Sequence, residues 1–240
     1  VQYVVDVKVT SAKPFPANTV PATVNFDPET GAAVIICFGR GTLIATERGE
    51  VAVEDLRVGD LVVTRDAGAQ PVRWIGATPV SAARLDLMPN LRPIRIRAGA
   101  LGDGMPSQDL VVSPQHRVLV RSRIARRMFD QDEVLVAAKH LLGLDGIEVA
   151  HDLPEVEYFH LLLDQHHILT SNGAETESLF LGPEARKAVG PGAWREIQAL
   201  FPELADDVIK IPAARGVAPG RMGRRLAARQ ARNRQVLVLH

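Results

Sequence analysis

The sequence has little of several features that define classes of protein, and each shortage excludes a class. Cys37 is its one cysteine, which excludes a disulfide framework. No stretch approaches the roughly 18 uninterrupted apolar residues of a transmembrane helix, so we predict none. Basic and acidic residues cancel, 28 against 28, which argues against a dedicated nucleic-acid-binding protein. The 240 residues, 46% of them hydrophobic, are enough for one globular domain with appendages.

The two ends of the chain differ from its middle. The first residue is Val1 rather than methionine, and no basic-then-apolar leader follows, so we expect the chain to be part of a longer protein. After Asp207 no acidic residue occurs, yet eight basic residues follow: Lys210, Arg215, Arg221, Arg224, Arg225, Arg229, Arg232 and Arg234. We interpret this basic tail as a solvated or disordered C-terminus.

Short strand-forming runs separated by turn signals predict an all-β body up to about residue 180. Residues 34–38 are an apolar run that suits a buried strand. Helices are predicted only after Pro183, over residues 183–189 and 191–204, because proline begins each segment and apolar residues follow at helical spacing in the second. Asn172-Gly173 is typical of a turn.

Two weak internal repeats occur within the predicted β body. Residues 111–119 resemble residues 161–169, and residues 51–60 resemble residues 134–143. Apolar runs match by chance, so neither pair is informative alone. Together they predict a duplicated β-subdomain with pseudo-two-fold symmetry rather than a solenoid.

Cys37 is the first candidate for chemistry. A single cysteine that follows three apolar residues is by default a buried small hydrophobe. Gly39 and Gly41 follow it, however, so the strand breaks into a turn directly after the thiol, and glycines let a backbone approach a reactive centre closely. A thiol and a histidine elsewhere in the chain are the minimum for nucleophilic catalysis.

Histidines supply the candidate partners of this thiol. Ser113-Pro114-Gln115-His116 is a turn that brings a hydroxyl and an imidazole together, although a hydrogen-bonded turn alone explains the pattern. In strand geometry His160 and His166 share a face and His167 lies opposite, so we do not expect all three in one site. One cysteine and no CxxC spacing argue against structural zinc, and we predict neither metal nor cofactor.

These residues fall into blocks with a recognisable order. The opening block is Cys37-Phe38-x-x-Gly41-Thr42-x-Ile44-x-Thr46, continued by Val53-Glu54-Asp55-Leu56-x-x-Gly59-Asp60-x-Val62. The next are Ser113-x-x-His116-x-Val118 and Phe159-His160-Leu161-x-Leu163-x-x-x-His167-x-Leu169-x-x-Asn172-Gly173, and the ending is Gly173-Ala174-Glu175-Thr176-Glu177-Ser178. The set resembles the Hint superfamily, the self-processing domains of Hedgehog proteins and inteins, and its ending is similar to that of bacterial Hint-type domains.

The resemblance implies an architecture and a division of the chain. It implies an all-β, pseudo-two-fold horseshoe with a short C-terminal helical extension. Residues 1–36 would be the N-terminal flank, residues 37–180 the Hint domain and residues 181–240 a helical and basic tail. The domain would be bacterial and part of a larger protein, secreted or held at the cell surface.

The resemblance also implies a reaction. The Cys37 thiol would attack the carbonyl of Ile36 and convert the peptide bond into a thioester by an N–S acyl shift. His116 would protonate the departing amine and Ser113 would orient the amide, while His160 and His167 join the site by their place in the third block. Water or a small thiol or amine would then release the chain's own N-terminal flank. No nucleic-acid or membrane partner is implied.

Departures from the family pattern limit this interpretation. Splicing inteins end in His-Asn, whereas no such pair accompanies Asn172, so we expect single-turnover self-cleavage without splicing. His160 stands where an acid is common, which leaves the thioester-resolving step undefined. Two alternatives stay open: a catalytically silent Hint-fold scaffold or binding module of a larger secreted protein, and a cysteine peptidase acting in trans. The second is weaker, because no papain-like or caspase-like signature surrounds Cys37.

Overall fold

The computed structural model describes residues 36–179, 192, 194–195, 197–199 and 212–238, together with the backbone of residues 4–6, 8–9 and 21–23. Its strands are β1 (Val4–Asp6), β2 (Lys8–Val9), β3 (Pro21–Thr23), β4 (Phe38–Gly39), β5 (Leu43–Thr46), β6 (Gly49–Ala52), β7 (Leu61–Thr64), β8 (Gly68–Pro71), β9 (Trp74–Val80), β10 (Ile94–Ile96), β11 (Leu110–Val112), β12 (Arg117–Val120), β13 (Val134–Ala137), β14 (Ile147–Val149), β15 (Val156–Leu162), β16 (Ile168–Ser171), β17 (Ala174–Glu177) and β18 (Gly216–Val217). The helices are α1 (Ala82–Leu87), α2 (Arg123–Phe129) and α3 (Gly220–Asn233), with 3-10 helices at Val53–Asp55, Pro89–Leu91 and Ala138–His140.

Two large sheets form the body of the protein. The first sheet has seven strands in the order β14-β10-β11-β4-β15-β9-β2. The second sheet has nine, in the order β18-β13-β12-β17-β16-β5-β7-β8 with β6 paired to β5, and β1 pairs with β3 separately. One apolar core joins both sheets, including Phe38 and Val112 from the first and Ile44 and Leu169 from the second. The predicted mostly β architecture with a C-terminal helix is confirmed.

The chain passes from the first sheet to the second between β4 and β5, between β11 and β12, and between β15 and β16. The first predicted repeat corresponds to the last two of these crossings, since residues 111–119 span β11 to β12 and residues 161–169 span β15 to β16. The second repeat also matches equivalent elements, because β6 and β13 are each followed directly by a 3-10 helix. Among the candidate site residues, Ser113 and His116 lie in the second crossing and His167 lies in the third, directly before β16, whereas Cys37 lies directly before β4 and His160 lies within β15.

Asn172 and Gly173 form the predicted turn, which joins β16 to β17. Both have positive φ angles, 46° and 74°, as the two central residues of a type I′ hairpin require. The Asn172 side chain is held at both ends: Oδ1 accepts the N–H of Leu43 at 2.7 Å, and Nδ2 donates to the Asp109 carbonyl at 2.8 Å. This amide therefore ties the hairpin to β5 and to the chain that enters β11.

Replacing Asn172 with glycine should lower the free energy of unfolding by about 1–3 kcal/mol, because the Leu43 N–H and the Asp109 carbonyl lose their part-buried hydrogen bonds while glycine still adopts the positive φ. Asn172→Asp should lose less, since its Oδ1 still accepts from Leu43. Denaturant titration of the three proteins measures both effects. Equal stability of the glycine variant and the parent would show that the amide is dispensable.

The prediction that helices occur only after Pro183 is wrong. In α2, the Ser122 side chain accepts the N–H of Ala125 at 3.0 Å, and Asp130 ends the helix in the left-handed conformation. In α1, a short run of helix-forming residues ends before Pro89. Both helices are short insertions between strands, so the surrounding strand pattern obscured them.

The interpretation of the basic tail as solvated or disordered is also wrong. Leu226 and Ala227 of α3 are buried, as are Leu237 and Val238 beyond it. Strand β18 adds to β13 in parallel, and the N–H of Leu237 donates to the Leu101 carbonyl at 3.0 Å. The arginines favour solvent, but the apolar residues between them supply a packing face that a count of charges does not reveal.

The two helices predicted near the C-terminus differ in outcome. The helix over residues 183–189 lies outside the described residues. Within residues 191–204, the described positions 192, 194–195 and 197–199 are helical, as predicted. No helix in the described part of the chain is long and apolar enough to cross a membrane.

Candidate functional site

Cys37 lies directly before β4, the central strand of the first sheet, with β11 on one side and β15 on the other. Its side chain is fully buried. It belongs to a small apolar cluster whose other members are Val80, Leu85, Leu91, Val156 and Tyr158. The Tyr158 hydroxyl donates to the Leu91 carbonyl at 2.8 Å, which fixes the 3-10 segment against this cluster. The thiol is therefore as buried as the default interpretation of a lone cysteine requires, yet polar groups also reach it.

Ser113 holds the backbone of Cys37 from the end of β11. The Cys37 N–H donates to Ser113 Oγ at 3.1 Å, and the Ser113 N–H donates to the Cys37 carbonyl at 3.0 Å. The nitrogen of the Ile36–Cys37 peptide bond thus faces a hydroxyl, as the resemblance implies for an orienting group.

His160 contacts both the thiol and the carbonyl of the same peptide bond. Its Nδ1 lies 3.0 Å from the Ile36 oxygen, and its Nε2 lies 3.4 Å from Cys37 Sγ, with Nδ1 at 3.5 Å from the sulfur. A carbonyl oxygen only accepts hydrogen bonds, so the neutral ring carries its proton on Nδ1. Nε2 is then free to accept the thiol proton.

His116 lies in the second crossing, directly before β12. It is fully buried, and its ring packs against Phe38 with 4.4 Å between the ring centroids. Its N–H donates to the Ser113 carbonyl at 3.0 Å, which closes the predicted Ser-Pro turn. The structure therefore brings together Cys37 before β4, Ser113 and His116 in the second crossing and His160 on β15, while their catalytic roles remain predictions.

Burial controls the ionisation of this site. It raises the pKa of the Cys37 thiol well above its usual value, against the opposing hydrogen bond with Ser113. Burial lowers the pKa of His160 to about 4, and the hydrogen bond with the Ile36 backbone opposes this shift. Burial also lowers the pKa of His116 to about 4, and the charge of Glu177 is the main opposing effect. At neutral pH the site therefore holds a thiol and two uncharged imidazoles.

His166 and His167 lie elsewhere, for a reason that strand alternation did not anticipate. Strand β15 ends at Leu162, so the pattern does not continue to these residues. The backbone N–H of His167 donates to Ser178 Oγ at 3.0 Å. Burial lowers the pKa of the His167 ring, and the charges of Asp66 and Asp164 oppose this shift. Among the described residues, the histidine that hydrogen-bonds to the Cys37 sulfur is His160, and no hydrogen bond joins that sulfur to the His167 ring.

Sequence reasoning missed Glu177, a fully buried carboxylate that lies 3.2 Å from His166 Nε2. The signal available was the Thr176-Glu177-Ser178 ending, in which Glu177 lies two residues after Glu175 and therefore on the same face of the strand. In the part of the chain that the structure describes, no three His, Cys, Asp or Glu side chains are grouped closely enough to hold a metal ion.

The family of the chain follows from a family-model match over residues 36–183, described as a Hint domain. The match covers more than half of the chain and begins at the residue whose carbonyl His160 contacts. The chain therefore belongs to the Hint domain family. A search of curated proteins finds no match.

Solved structures of related domains are similar to this chain at low identity. A bacterial intein-like domain from Clostridium thermocellum is 16% identical with a TM-score of 0.39, and the alignment covers 60% of this chain and 99% of that one. The gp41-1 intein is 15% identical with a TM-score of 0.36, covering 58% and 96%. A variant of the AceL NrdHF class 3 split intein is 13% identical with a TM-score of 0.38, covering 59% and 95%.

Proposed function

We propose that this Hint domain cleaves its own Ile36–Cys37 peptide bond through a thioester and releases the segment that precedes Cys37, without splicing. The observation that carries the proposal is the position of His160, which contacts the Cys37 sulfur and the Ile36 carbonyl oxygen at once. A histidine in this position can act both as the general base for the thiol and as the hydrogen-bond donor to the carbonyl oxygen, and attack on an amide needs both.

The first step is attack of the sulfur. The thiol proton passes to Nε2 of His160, a bond forms between Sγ and the Ile36 carbonyl carbon, and the carbonyl π electrons move onto the oxygen. The Nδ1–H of His160 already points at that oxygen and stabilises the charge that develops on it. Because the site excludes water, this donor acts in a medium of low polarity, where its effect is larger.

The second step is expulsion of the amine. The oxyanion re-forms the carbonyl as the C–N bond of the tetrahedral centre breaks, the electron pair of that bond goes to the Cys37 nitrogen, and the protonated ring of His116 donates the proton that makes the amine. The proton held by His160 then restores His116, directly or through solvent, so the acyl shift is neutral overall. Proton donation by a placed histidine contributes ~10²–10⁴ in rate. Water, a small thiol or an amine completes the reaction by attack on the thioester.

The bonds on the C-terminal side should be spared. Asparagine cyclisation needs a free side-chain amide, whereas the Asn172 amide is bonded to Leu43 and Asp109. No His-Asn pair accompanies it in the sequence. The products are therefore expected to be residues 1–36 and residues 37–240.

One observation favours a second function, that of a silent scaffold. Cys37 is completely buried and its thiol is protonated at rest, so neither thiol reagents nor water reach it without local opening. A Hint fold in this state would persist uncleaved and serve for binding or display.

Incubation with dithiothreitol distinguishes the two functions. Thiol intercepts the thioester, so the self-cleaving domain should yield both fragments faster with dithiothreitol than without it, and intact-mass spectrometry identifies the broken bond. A chain that stays whole after overnight incubation, at mildly acidic and at neutral pH, would favour the scaffold.

A further inference from the structure

Glu177, the last residue of β17, is a buried carboxylate that the steps above do not use. Its Oε1 accepts the backbone N–H of Arg117 at 2.9 Å, and its Oε2 accepts from Arg117 Nη1 at 2.8 Å. Burying a carboxylate is costly unless charged and hydrogen-bonding partners surround it. Here one arginine supplies both, through its backbone and its side chain.

Arg117 directly follows His116, so these bonds fix the peptide on the C-terminal side of the imidazole. On the other side the His116 N–H donates to the Ser113 carbonyl at 3.0 Å, and the His116 carbonyl accepts the N–H of Ala138 at 2.8 Å. The N–H and the carbonyl of His116 and the N–H of Arg117 are therefore all hydrogen-bonded, the last of them to the Glu177 side chain.

A further imidazole orients the carboxylate. His166 Nδ1 accepts the N–H of Ala214 at 3.1 Å, so in the neutral ring the proton lies on Nε2, which faces Glu177 Oε2 at 3.2 Å. Glu177 is thus held between Arg117 and His166, and His166 is in turn held by the segment that leads into β18. The Glu177 side chain has little freedom to move away from His116.

The charged and titratable groups around His116 come from four elements. They are Glu177 on β17, Arg117 at the start of β12, His160 on β15 and Cys37 before β4. Burial lowers the pKa of His116 most. Of the charges, Glu177 raises it, whereas Arg117 and His160 lower it. Glu177 therefore opposes the loss of the imidazolium on which expulsion of the amine depends.

We propose that Glu177 is a positioning residue of the self-cleavage site, which fixes the backbone of His116 and supplies the negative charge that stabilises its protonated ring. This assignment rests on the proposed function for its role in the reaction. It assigns a role to the Thr-Glu-Ser ending of the domain, because β17 places the Glu177 carboxylate beside the second crossing.

The test uses NMR titration of the His116 ring in the uncleavable Cys37→Ala chain. Glu177→Gln keeps an oxygen for the Arg117 N–H but removes the charge, so the His116 pKa should fall by on the order of one unit. Arg117→Met breaks the same ion pair but removes the opposite charge, so the His116 pKa should rise. Damage to the fold would move both variants in one direction. Glu175→Gln is the matched control, because Glu175 is on the same strand and pairs with Arg65 and Arg121 instead.

Opposite shifts in the two variants, with none in the control, support the assignment; equal shifts or no shift overturn it. If the glutamine variant does not fold, the double variant Arg117→Met/Glu177→Gln, which leaves neither charge of the ion pair unpaired, takes its place: its His116 pKa should lie below that of Arg117→Met, and equal values overturn the assignment. In the cleavable chain, Glu177→Gln should slow release roughly 3- to 10-fold at neutral pH and less at acidic pH, with partial rescue by Glu177→Asp. The titration needs no cleavage, so the two proposals fail separately. A chain that never cleaves contradicts the proposed function, whereas the titration alone decides the assignment of Glu177.

Discussion

Replacing Cys37 with alanine should abolish release of the N-terminal flank. Cys37 is the one thiol in the chain, and its sulfur reaches the carbonyl of its own preceding residue through a five-membered ring, so no other side chain replaces it. Intact-mass spectrometry after overnight incubation with dithiothreitol measures the loss.

Cys37→Ser provides the matched comparison for this loss. A hydroxyl fits the same buried position but is a far weaker nucleophile, so release should be at least about 100-fold slower than in the parent. Thermal unfolding should show that both variants keep the fold, since the changes in side-chain volume are small. Cleavage of the alanine variant at the same bond and rate would mean that another protease, and not the domain, cuts the chain.

Replacing His160 with alanine should slow cleavage by ~10²–10⁴, because attack loses both its base and the donor to the Ile36 oxygen. His160→Gln separates the general base from the hydrogen-bond donor, because an amide can donate to the Ile36 oxygen but cannot accept the thiol proton. Its rate should lie nearer to that of the alanine variant. The exposed His151, changed to alanine, should cleave at the parental rate. Rates come from the release of fragment over time. A parental rate in His160→Ala would remove this residue from the mechanism.

The cleavage rate should depend on pH through the protonation states of both histidines. His160 must be neutral to accept a proton, which requires a pH above its pKa of about 4. His116 must be protonated to donate one, and its imidazolium is lost as the pH rises above its own pKa of about 4. The rate should therefore be highest under acidic conditions and fall towards neutral and alkaline pH. In His116→Ala the reaction should be slower and this alkaline fall should flatten.

Local sequence predicted the parts of the site that depend on local geometry. Ser113 and His116 are joined by a turn that proline begins, and Cys37 precedes a glycine-rich turn, so motif spacing was enough to group them. The two-residue turn at Asn172 followed from its sequence for the same reason. The repeats predicted a duplicated β-subdomain, and the first of them falls on two of the crossings between the sheets.

Contacts that depend on strand pairing were not predictable in this way. His160 reaches Cys37 because β15 pairs with β4 so that Phe159 lies opposite Phe38, and no local signal sets that register. Glu177 reaches Arg117 through the pairing of β17 with β12, where Thr176 lies opposite Val118. The sequence did not predict α1 and α2 because they are short and lie between strands. It did not predict α3 because the buried apolar residues of this helix are interspersed with arginines.

The central claim is that an acyl group is transferred from nitrogen to the sulfur of Cys37, and trapping with hydroxylamine tests it most directly. Hydroxylamine attacks a thioester and leaves a hydroxamate at the end of the released fragment, which mass spectrometry distinguishes from a free carboxylate. The mechanism predicts a fragment of residues 1–36 with a hydroxamate on Ile36 from the parent chain and no such fragment from Cys37→Ala. A whole chain, or a fragment that ends elsewhere or carries only a carboxylate, would contradict it.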